Sequence, residues 1–202
     1  MFSGIVYCKG RVRSAVPRRD SVSLEIETLK DIISPSKGMS IAVNGMCLTA
    51  VSFRGKRFFK ADVSGETMKK TTVKGLRPGA EVNIEFPLTA GGFISGHIVQ
   101  GHIDTTGEVT AVTKNGANTI VSAGYGPGFD VYVVEKGSVA VDGTSLTVFD
   151  VKKGGFSAAL IPATLKETIA EKYKKGDKVN LEFDIMAKYI EKQIKHLSGG
   201  KR

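Results

Sequence analysis

Two histidines in a glycine-rich segment are the side chains best suited to proton transfer. His97 and His102 lie in GGFISGHIVQGHID (91–104). An imidazole titrates near neutral pH, so it can give or take a proton during a reaction. Their spacing does not place them on one helical face, unlike the i, i+4 pair of a helical zinc site. A histidine is also commonly a hydrogen-bonded structural residue, and the residues alone leave both interpretations open.

Cys47 is a candidate nucleophile because it follows the turn glycine Gly45 and precedes a predicted strand. No histidine lies near it in the sequence to generate a thiolate, so a small buried residue is the favoured alternative. Cys8 and Cys47 lack metal-ligand spacing, and with only three histidines in the chain we predict no metal site. The glycines of segment 91–101 form neither a phosphate loop nor a dinucleotide-binding turn. We therefore predict no cofactor.

The net charge of +9 invites a nucleic-acid hypothesis. The basic residues are spread in short groups, however, and a solvated basic surface is the favoured interpretation. The sequence has no apolar stretch of the roughly 18 residues that a membrane span needs, and MFSGIVYCKGRV lacks the features of a signal peptide. Two thiols without a disulfide framework also fit a reducing compartment. We therefore predict a cytoplasmic protein that binds neither nucleic acid nor membrane.

An internal repeat supplies the elements that must position these residues. Blocks of the second half match blocks of the first half, in the same order, at an offset of 97 or 98 residues. The clearest pairs are SIAVNGMCLTA (40–50) with SVAVDGTSLTV (138–148), and LRPGAEVNIEF (76–86) with YKKGDKVNLEF (173–183). This period is too long for a solenoid unit and has the length of a small domain. We predict two homologous domains, residues 1–97 and 98–184.

Each repeat is predicted to be mostly β-structure. SVSLEIE (21–27) alternates apolar and polar residues, and glycine or asparagine turns separate similar short segments in both halves. About six strands per repeat indicate a small closed barrel, which leaves no exposed sheet edge. A short helix is predicted after Gly65 and another after Pro162, where proline suits the first helical turn.

The C-terminal segment, residues 185–202, differs from both repeats. IMAKYIEKQIKHL (185–197) carries apolar residues at helical spacing with lysines between them. The helix either packs on its own barrel or packs with copies from other subunits, and periodicity does not separate these alternatives. We expect the last residues, SGGKR, to be frayed.

The two repeats agree at framework residues and differ at reactive ones. The differing pairs are Cys47 with Ser145, Asn44 with Asp142, Glu66 with Ala163, and His102 with Ile5. Two similar pockets with different polar groups could hold two related molecules and treat them differently. Drift after gene duplication would also produce such differences, and the residues leave both explanations open.

At these blocks the chain resembles the riboflavin synthase family. The similar segments, in the family's order, are MFSGIV, SIAVNGMCLT, SGET with its following TT, ISGHIVQGHID, KGSVAVDGTSLTV, LIPATL and VNLEFD. The resemblance implies an all-β fold of two tandem six-stranded Greek-key barrels related by pseudo-symmetry, with a C-terminal helix that helps build a homotrimer. Departures from the family pattern are few and fall at Ser3, Ser95 and Ala163.

The resemblance also implies a reaction, the last step of riboflavin biosynthesis. Two molecules of 6,7-dimethyl-8-ribityllumazine exchange a four-carbon unit and give riboflavin and 5-amino-6-ribitylaminouracil, without cofactor or metal. In the family this transferase site lies between the N-terminal barrel of one subunit and the C-terminal barrel of its neighbour. The resemblance leaves open whether the basic surface docks lumazine synthase, a partner enzyme of the same pathway.

Site residues carried over from the family fall into three sets. Polar positions near the chemistry are Ser40, Cys47, His102, Thr147 and Asp184. The first pocket is implied to contain Gly4, Ile5, Val6, Cys47, Leu48, Thr49, Asp62, Val63, Ser64, Gly65, Glu66, Thr67, Gly101, His102 and Ile103. The second is implied to contain Lys136, Ser145, Leu146, Thr147, Leu160, Ile161, Pro162, Ala163, Thr164 and Leu165. In this hypothesis His102 assists proton removal from the C7 methyl group of one lumazine, while Ser40, Cys47 or a water adds to C7 of the other.

The competing class is a non-catalytic module. One form is a flavin or lumazine carrier, since fluorescent lumazine-binding proteins share this fold but have lost several of these polar residues. The other is a barrel that binds nucleic acid, for which Phe58 and Phe59 beside Arg57 and Lys60 are the only aromatic and basic cluster. That cluster is better explained as a strand with one buried face.

Overall fold

The computed structural model describes residues 1–198, and the predicted fraying beyond Ser198 lies outside the described residues. Two closed antiparallel barrels make up the fold. The strands of barrel 1 are β1 (Cys8–Pro17), β2 (Ser21–Thr28), β3 (Ser40–Val43), β4 (Met46–Arg54), β5 (Phe58–Ser64) and β6 (Glu81–Glu85). The strands of barrel 2 are β7 (Thr105–Asn115), β8 (Asn118–Gly124), β9 (Ser138–Val141), β10 (Thr144–Lys152), β11 (Gly155–Leu160) and β12 (Lys178–Phe183).

The two barrels have the same strand order. Barrel 1 closes in the order β1-β2-β5-β4-β3-β6, and barrel 2 in the equivalent order β7-β8-β11-β10-β9-β12. The predicted all-β fold of two Greek-key barrels is confirmed. The boundary between residues 97 and 98 stays a prediction, although each set of strands lies within its predicted domain.

Short helices follow equivalent strands in both barrels. The helices are α1 (Gly65–Lys70), α2 (Pro162–Glu167) and α3 (Ile185–Leu197), with 3₁₀ turns at Thr72–Gly75, Asp130–Tyr132 and Ile169–Lys172. Ser64 caps α1 by accepting the Thr67 N–H, and Pro162 occupies the first turn of α2. Both helices predicted from the sequence are therefore present.

Alternating side chains fill the interior of each barrel. In β5 the residues Phe59, Ala61 and Val63 are buried, while the residues between them face outward. Barrel 2 is filled in the same way by residues such as Leu160, Leu181 and Phe183. Because these apolar side chains occupy the lumen, a ligand pocket must lie outside the barrel interior.

Two hairpin turns meet back to back where the barrels join. Asn44-Gly45 connects β3 to β4, Asp142-Gly143 connects β9 to β10, and all four residues have positive φ. A Cβ on Gly45 would lie 2.8 Å from the backbone nitrogen of Gly143, and a Cβ on Gly143 would lie 2.7 Å from that of Gly45. Only glycine fits at either position, so the close approach of the barrels depends on both turns.

Reciprocal side-chain amides bind each barrel to the opposite turn. Asn83 of β6 donates to the Asp142 carbonyl at 2.9 Å, and Asn180 of β12 donates to the Asn44 carbonyl at 2.8 Å. Each amide oxygen also accepts a backbone N–H from the other barrel, that of Ile169 or of Thr72, at 2.8 Å. These buried groups are satisfied across the junction, so separating the barrels would leave them unpaired.

Asp142 breaks the symmetry of this junction. Its carboxylate accepts the Asn180 N–H at 2.8 Å and the Tyr173 hydroxyl at 2.7 Å, whereas the equivalent pair in barrel 1 is Asn44 and Leu76. Complete burial raises the pKa of Asp142 from its ordinary 3.8 to about 7, although both hydrogen bonds lower it. The folded chain therefore keeps a proton that the unfolded chain releases, and the stability from this group falls as pH rises from about 4 to 7.

We predict that Asp142→Asn removes this pH dependence. The amide keeps an acceptor for the Asn180 N–H and presents a donor to the Tyr173 oxygen, but it binds no proton. The melting temperature of the variant, relative to that of the unaltered chain, should therefore increase as pH rises from about 4 to 7. Thermal unfolding across this range measures the difference. Asn44→Asp is the matched control. Its carboxylate would lie beside Leu76, which offers no hydroxyl of the kind that Tyr173 donates to Asp142, so this variant should lose stability at the higher pH. An unchanged pH slope in Asp142→Asn would contradict the assignment.

Helix α3 is capped by Asp184 and lies across barrel 2 with an uncovered apolar face. Lys188 forms an ion pair with Asp104 at 2.6 Å, which ties the helix to the start of β7. None of its residues is buried, and its apolar side chains are more than half exposed at Tyr189, Ile190 and Ile194. Packing on its own barrel thus leaves this face bare. Within residues 1–198, every helix is too short or too polar to span a membrane.

Candidate functional site

The predicted polar residues lie on the outer wall of each barrel. In β4, Leu48 points into the core, so Cys47 and Thr49 on either side of it point outward. Ser40 of β3 pairs directly with Thr49 and shares this face. In β10, Ser145 and Thr147 flank the buried Leu146 in the same way. The chain therefore presents two equivalent surfaces, one on each barrel.

The first surface is covered by the linker strap, which we define as residues 98–104. The Gly101 carbonyl accepts the Cys47 N–H at 2.8 Å, and a Cβ on Gly101 would lie 2.5 Å from that of Cys47. Ile103 buries its side chain in the core of barrel 1. His102, between these two anchors, remains exposed beside β4.

These contacts enclose a cavity of about 240 Å³. It is lined by Met46, Cys47, Glu66, Thr67, Lys70, Thr71, Gly101, His102 and Ile103. The predicted grouping of Cys47, Glu66, Thr67 and His102 is thus found in the structure. His102 comes from the second repeat, so the site on barrel 1 requires both halves of the chain.

The second surface is covered by the N-terminal strap, which we define as residues 1–7. The Gly4 carbonyl accepts the Ser145 N–H at 2.8 Å, and a Cβ on Gly4 would lie 2.6 Å from that of Ser145. The prediction that Gly4, Ile5 and Val6 belong to the first pocket is therefore wrong. The N-terminal strap pairs with the linker strap through Phe2 and Val99, and it continues onto barrel 2.

Two buried glutamates hold the straps in place. Glu182 of β12 accepts the N–H groups of Gln100 and Gly101 at 2.6 and 2.9 Å. Glu85 of β6 accepts the N–H groups of Ser3 and Gly4 at 2.7 and 3.0 Å, as well as the Ser3 hydroxyl. Burial raises the pKa of both carboxyl groups, and the strap N–H groups oppose that rise. Each barrel thus fixes the strap that covers the other barrel's site.

His97 joins the second site, although the set of site residues predicted from the sequence contained only His102. Its Nδ1 lies 2.7 Å from Ser145 Oγ. Burial lowers the pKa of His97, and the Asp184 carboxylate opposes this effect. Gly96 makes the contact possible, because a Cβ there would lie 2.2 Å from the Ser3 carbonyl oxygen. The glycine beside the histidine was the available sequence signal.

The remaining residues predicted for the pockets divide by orientation. The side chains of Leu48, Val63, Leu146 and Leu160 are buried in the barrel cores, so they can meet a ligand only through their backbone atoms. Asp62 and Ser64 face outward from β5, and Gly65 begins α1.

On barrel 2 the predicted residues surround α2 and the start of β9. Ile161 is exposed where β11 meets α2, and Pro162, Ala163, Thr164 and Leu165 lie on that helix. Lys136 precedes β9 with a φ of 65° and extends over the ring of Phe149.

The five residues predicted near the chemistry are divided between the barrels. Ser40, Cys47 and His102 lie at barrel 1, while Thr147 and Asp184 lie at barrel 2. Asp184 caps α3 by accepting the Met186 N–H at 2.9 Å. It also lies at the edge of an apolar groove of about 670 Å³ between α3 and residues 131–138.

Comparison with known proteins gives consistent matches. Residues 3–87 and 100–184 each match the family model described as Lumazine binding domain. The riboflavin synthase of Actinobacillus pleuropneumoniae is 40% identical over 191 residues, which are 95% of this chain and 88% of that protein. The riboflavin synthase of Mycobacterium bovis is 39% identical over 198 residues, which are 96% of this chain and 98% of that protein.

Solved structures share the fold at lower identity. The crystal structure of LumP complexed with riboflavin has a TM-score of 0.84 and 23% identity, covering 91% of this chain and 99% of that one. The crystal structure of LumP complexed with 6,7-dimethyl-8-(1'-D-ribityl) lumazine has a TM-score of 0.82 and 22% identity over the same shares. Together with the two domain matches and the full-length relatives, these findings show that the chain belongs to the riboflavin synthase family.

Proposed function

We propose that this chain converts two molecules of 6,7-dimethyl-8-ribityllumazine into riboflavin and 5-amino-6-ribitylaminouracil. The observation that carries the proposal is the pair of equivalent outer-wall sites, each completed by a strap from the opposite repeat. A reaction between two identical heterocycles needs two binding places of the same shape. The LumP structures, which hold the lumazine and riboflavin on this fold, support the class of ligand.

The two sites share a backbone frame and differ in polar side chains. The first has a thiol at Cys47, with Glu66 and His102 beside it. At the equivalent positions the second has a hydroxyl at Ser145, with Ala163 and Ile5. Identical ligands would therefore meet different hydrogen-bonding and proton-transfer groups, which favours opposite roles for the two molecules.

His102 is the proposed proton acceptor. It is exposed on the cavity wall between the anchored residues Gly101 and Ile103, so its ring is held at the site without being buried. We propose that it removes a proton from the C7 methyl group of one lumazine. Ser40, Cys47 or a water adds to C7 of the other lumazine. Because Ser40 and Cys47 lie on the same barrel as His102, this role for them requires the two rings to stack against each other at the site. Holding both rings together would supply up to about 7–11 kcal/mol by making a bimolecular step local.

We further propose a homotrimer in which barrel 1 of one subunit faces barrel 2 of the next. The cavity of about 240 Å³ is smaller than common ligand pockets, which supports completion by a second molecule. The uncovered apolar face of α3 supports the same assembly. The two free thiols support a cytoplasmic location. We also propose that the chain associates with lumazine synthase through its basic surface.

We expect the purified chain, mixed with the lumazine alone, to develop the absorbance of riboflavin.

His102→Gln should lower kcat by about 100-fold or more, because the amide cannot accept the proton. Steady-state absorbance measures both. His196→Gln, which changes an exposed histidine near the end of α3, is the control and should keep turnover. Binding of the dye without turnover would favour a carrier instead, and full turnover by His102→Gln would remove the proposed base.

We also expect Glu182→Gln to reduce turnover by acting on His102. The neutral amide offers one acceptor where the carboxylate holds two N–H groups, so the linker strap should loosen and kcat should fall by roughly 10-fold. The informative measurement is a double-mutant cycle. In the His102→Gln background, Glu182→Gln should lower kcat little further. Glu85→Gln, which loosens the other strap, should lower kcat by the same factor as it does in the unaltered chain. Equal additivity for both glutamates would contradict the assignment of Glu182 to the linker strap.

A further inference from the structure

The contact between His97 and Ser145 has no equivalent at the first site. Nδ1 of His97 lies 2.7 Å from Ser145 Oγ. In barrel 1 the equivalent residue is Cys47, and within residues 1–198 its sulfur takes no hydrogen bond from a histidine. Both residues receive the same backbone contact from a strap glycine. The two sites therefore share the backbone contact to a strap glycine, and the second site has the imidazole of His97 in addition.

The surroundings of His97 determine which ring nitrogen carries the proton. Nε2 is buried, and among residues 1–198 it has no hydrogen-bond partner. A buried N–H without an acceptor is more costly than a bare ring nitrogen without a donor. Burial also keeps the ring neutral by lowering its pKa. The favoured form therefore has its proton on Nδ1, which donates to Ser145 Oγ.

This donation orients the serine hydroxyl. A hydroxyl has one O–H donor and two acceptor positions. With one acceptor position occupied by the imidazole N–H, the O–H of Ser145 is left to point away from His97. Ser145 is half-buried on the outer wall of β10, beneath the N-terminal strap. Its hydrogen is thus available to a ligand that lies on this surface.

We propose that His97 is a positioning residue that makes the second site selective for a ring presenting a hydrogen-bond acceptor. The acceptor is a carbonyl oxygen or an unprotonated ring nitrogen, which pteridine and flavin rings carry. The inference rests on the proposed function for the identity of the ligand. It adds that the two sites differ in hydrogen bonding, since the thiol of Cys47 is a weak donor and has no imidazole to orient it.

The test measures riboflavin binding to the full chain by fluorescence titration, so it does not depend on turnover. Ser145→Ala and His97→Gln should each weaken binding at one site by about 10-fold. The double variant should bind no more weakly than either single variant. His97→Asn should retain affinity within about threefold, because its amide nitrogen is as many bonds from Cα as Nδ1 is. The glutamine amide lies one bond too far.

Cys47→Ala supplies the matched control at the first site. Its effect on binding should add in full to that of His97→Gln, because His97 contacts Ser145 on the other barrel. Additive effects of His97→Gln and Ser145→Ala, or an asparagine variant no better than the glutamine variant, would overturn the proposal. Melting temperatures are measured for every variant. If His97→Gln does not fold, the riboflavin affinity of Ser145→Ala is the deciding measurement. An unchanged affinity in that variant overturns the proposal.

Failure of the proposed function has a different signature. If the unaltered chain binds riboflavin at two sites but does not convert the lumazine, the enzymatic proposal fails while the titrations still decide the role of His97. If turnover is normal and the titrations show no dependence on His97, the positioning role fails alone.

Discussion

The hydrogen bonds between each buried glutamate and the strap that covers the other barrel's site are the constraint on which both sites depend. Each barrel lumen is filled with apolar side chains, so a ligand can bind only outside the barrel interior. A strand surface alone is too flat to enclose a small molecule. The straps supply the missing wall, and Glu85 and Glu182 fix their backbone N–H groups. Without these carboxylates, Gly4 and Gly101 would have only single carbonyl contacts to the barrels they cover.

The junction between the barrels makes this exchange of straps possible. The two glycine turns pack against each other, and the amides of Asn83 and Asn180 satisfy buried groups across the junction. The frame is nearly symmetric, while the polar groups placed on it are not. Asp142 with Tyr173 changes the frame's response to pH, and the differences at Cys47 and Ser145 change the sites. The asymmetry therefore serves two separate properties of the molecule.

Much of the fold could be predicted from the sequence because it follows from local periodicity and from the repeat. Alternation in segments such as SVSLEIE identified strands, and the matched blocks identified two domains. The same alternation also implies that Leu48, lying between Cys47 and Thr49, faces the core. The grouping of Cys47 with His102 required the family resemblance, since nothing local connects residues so far apart in the chain.

Other parts of the site depend on tertiary contacts that local patterns do not encode. The placement of Gly4 with Ser145 requires knowing that the two straps pair and then diverge, which is a property of the assembled junction. The repeat nevertheless aligned Gly4 with Gly101, so their equivalent positions on opposite barrels were implicit in that alignment. His97 reaches Ser145 only because Gly96 lets the linker pass close to Ser3, and spacing alone could not reveal this contact.

The exchanged straps have a consequence for recombination between related genes. Each half of the chain carries the wall of one site and the cover of the other. If the first half of one relative were joined to the second half of another at the linker, neither site would remain parental. Both would combine the strand surface of one ancestor with the covering segment of the other. Such a crossover could therefore alter ligand preference at two places at once without a single point substitution.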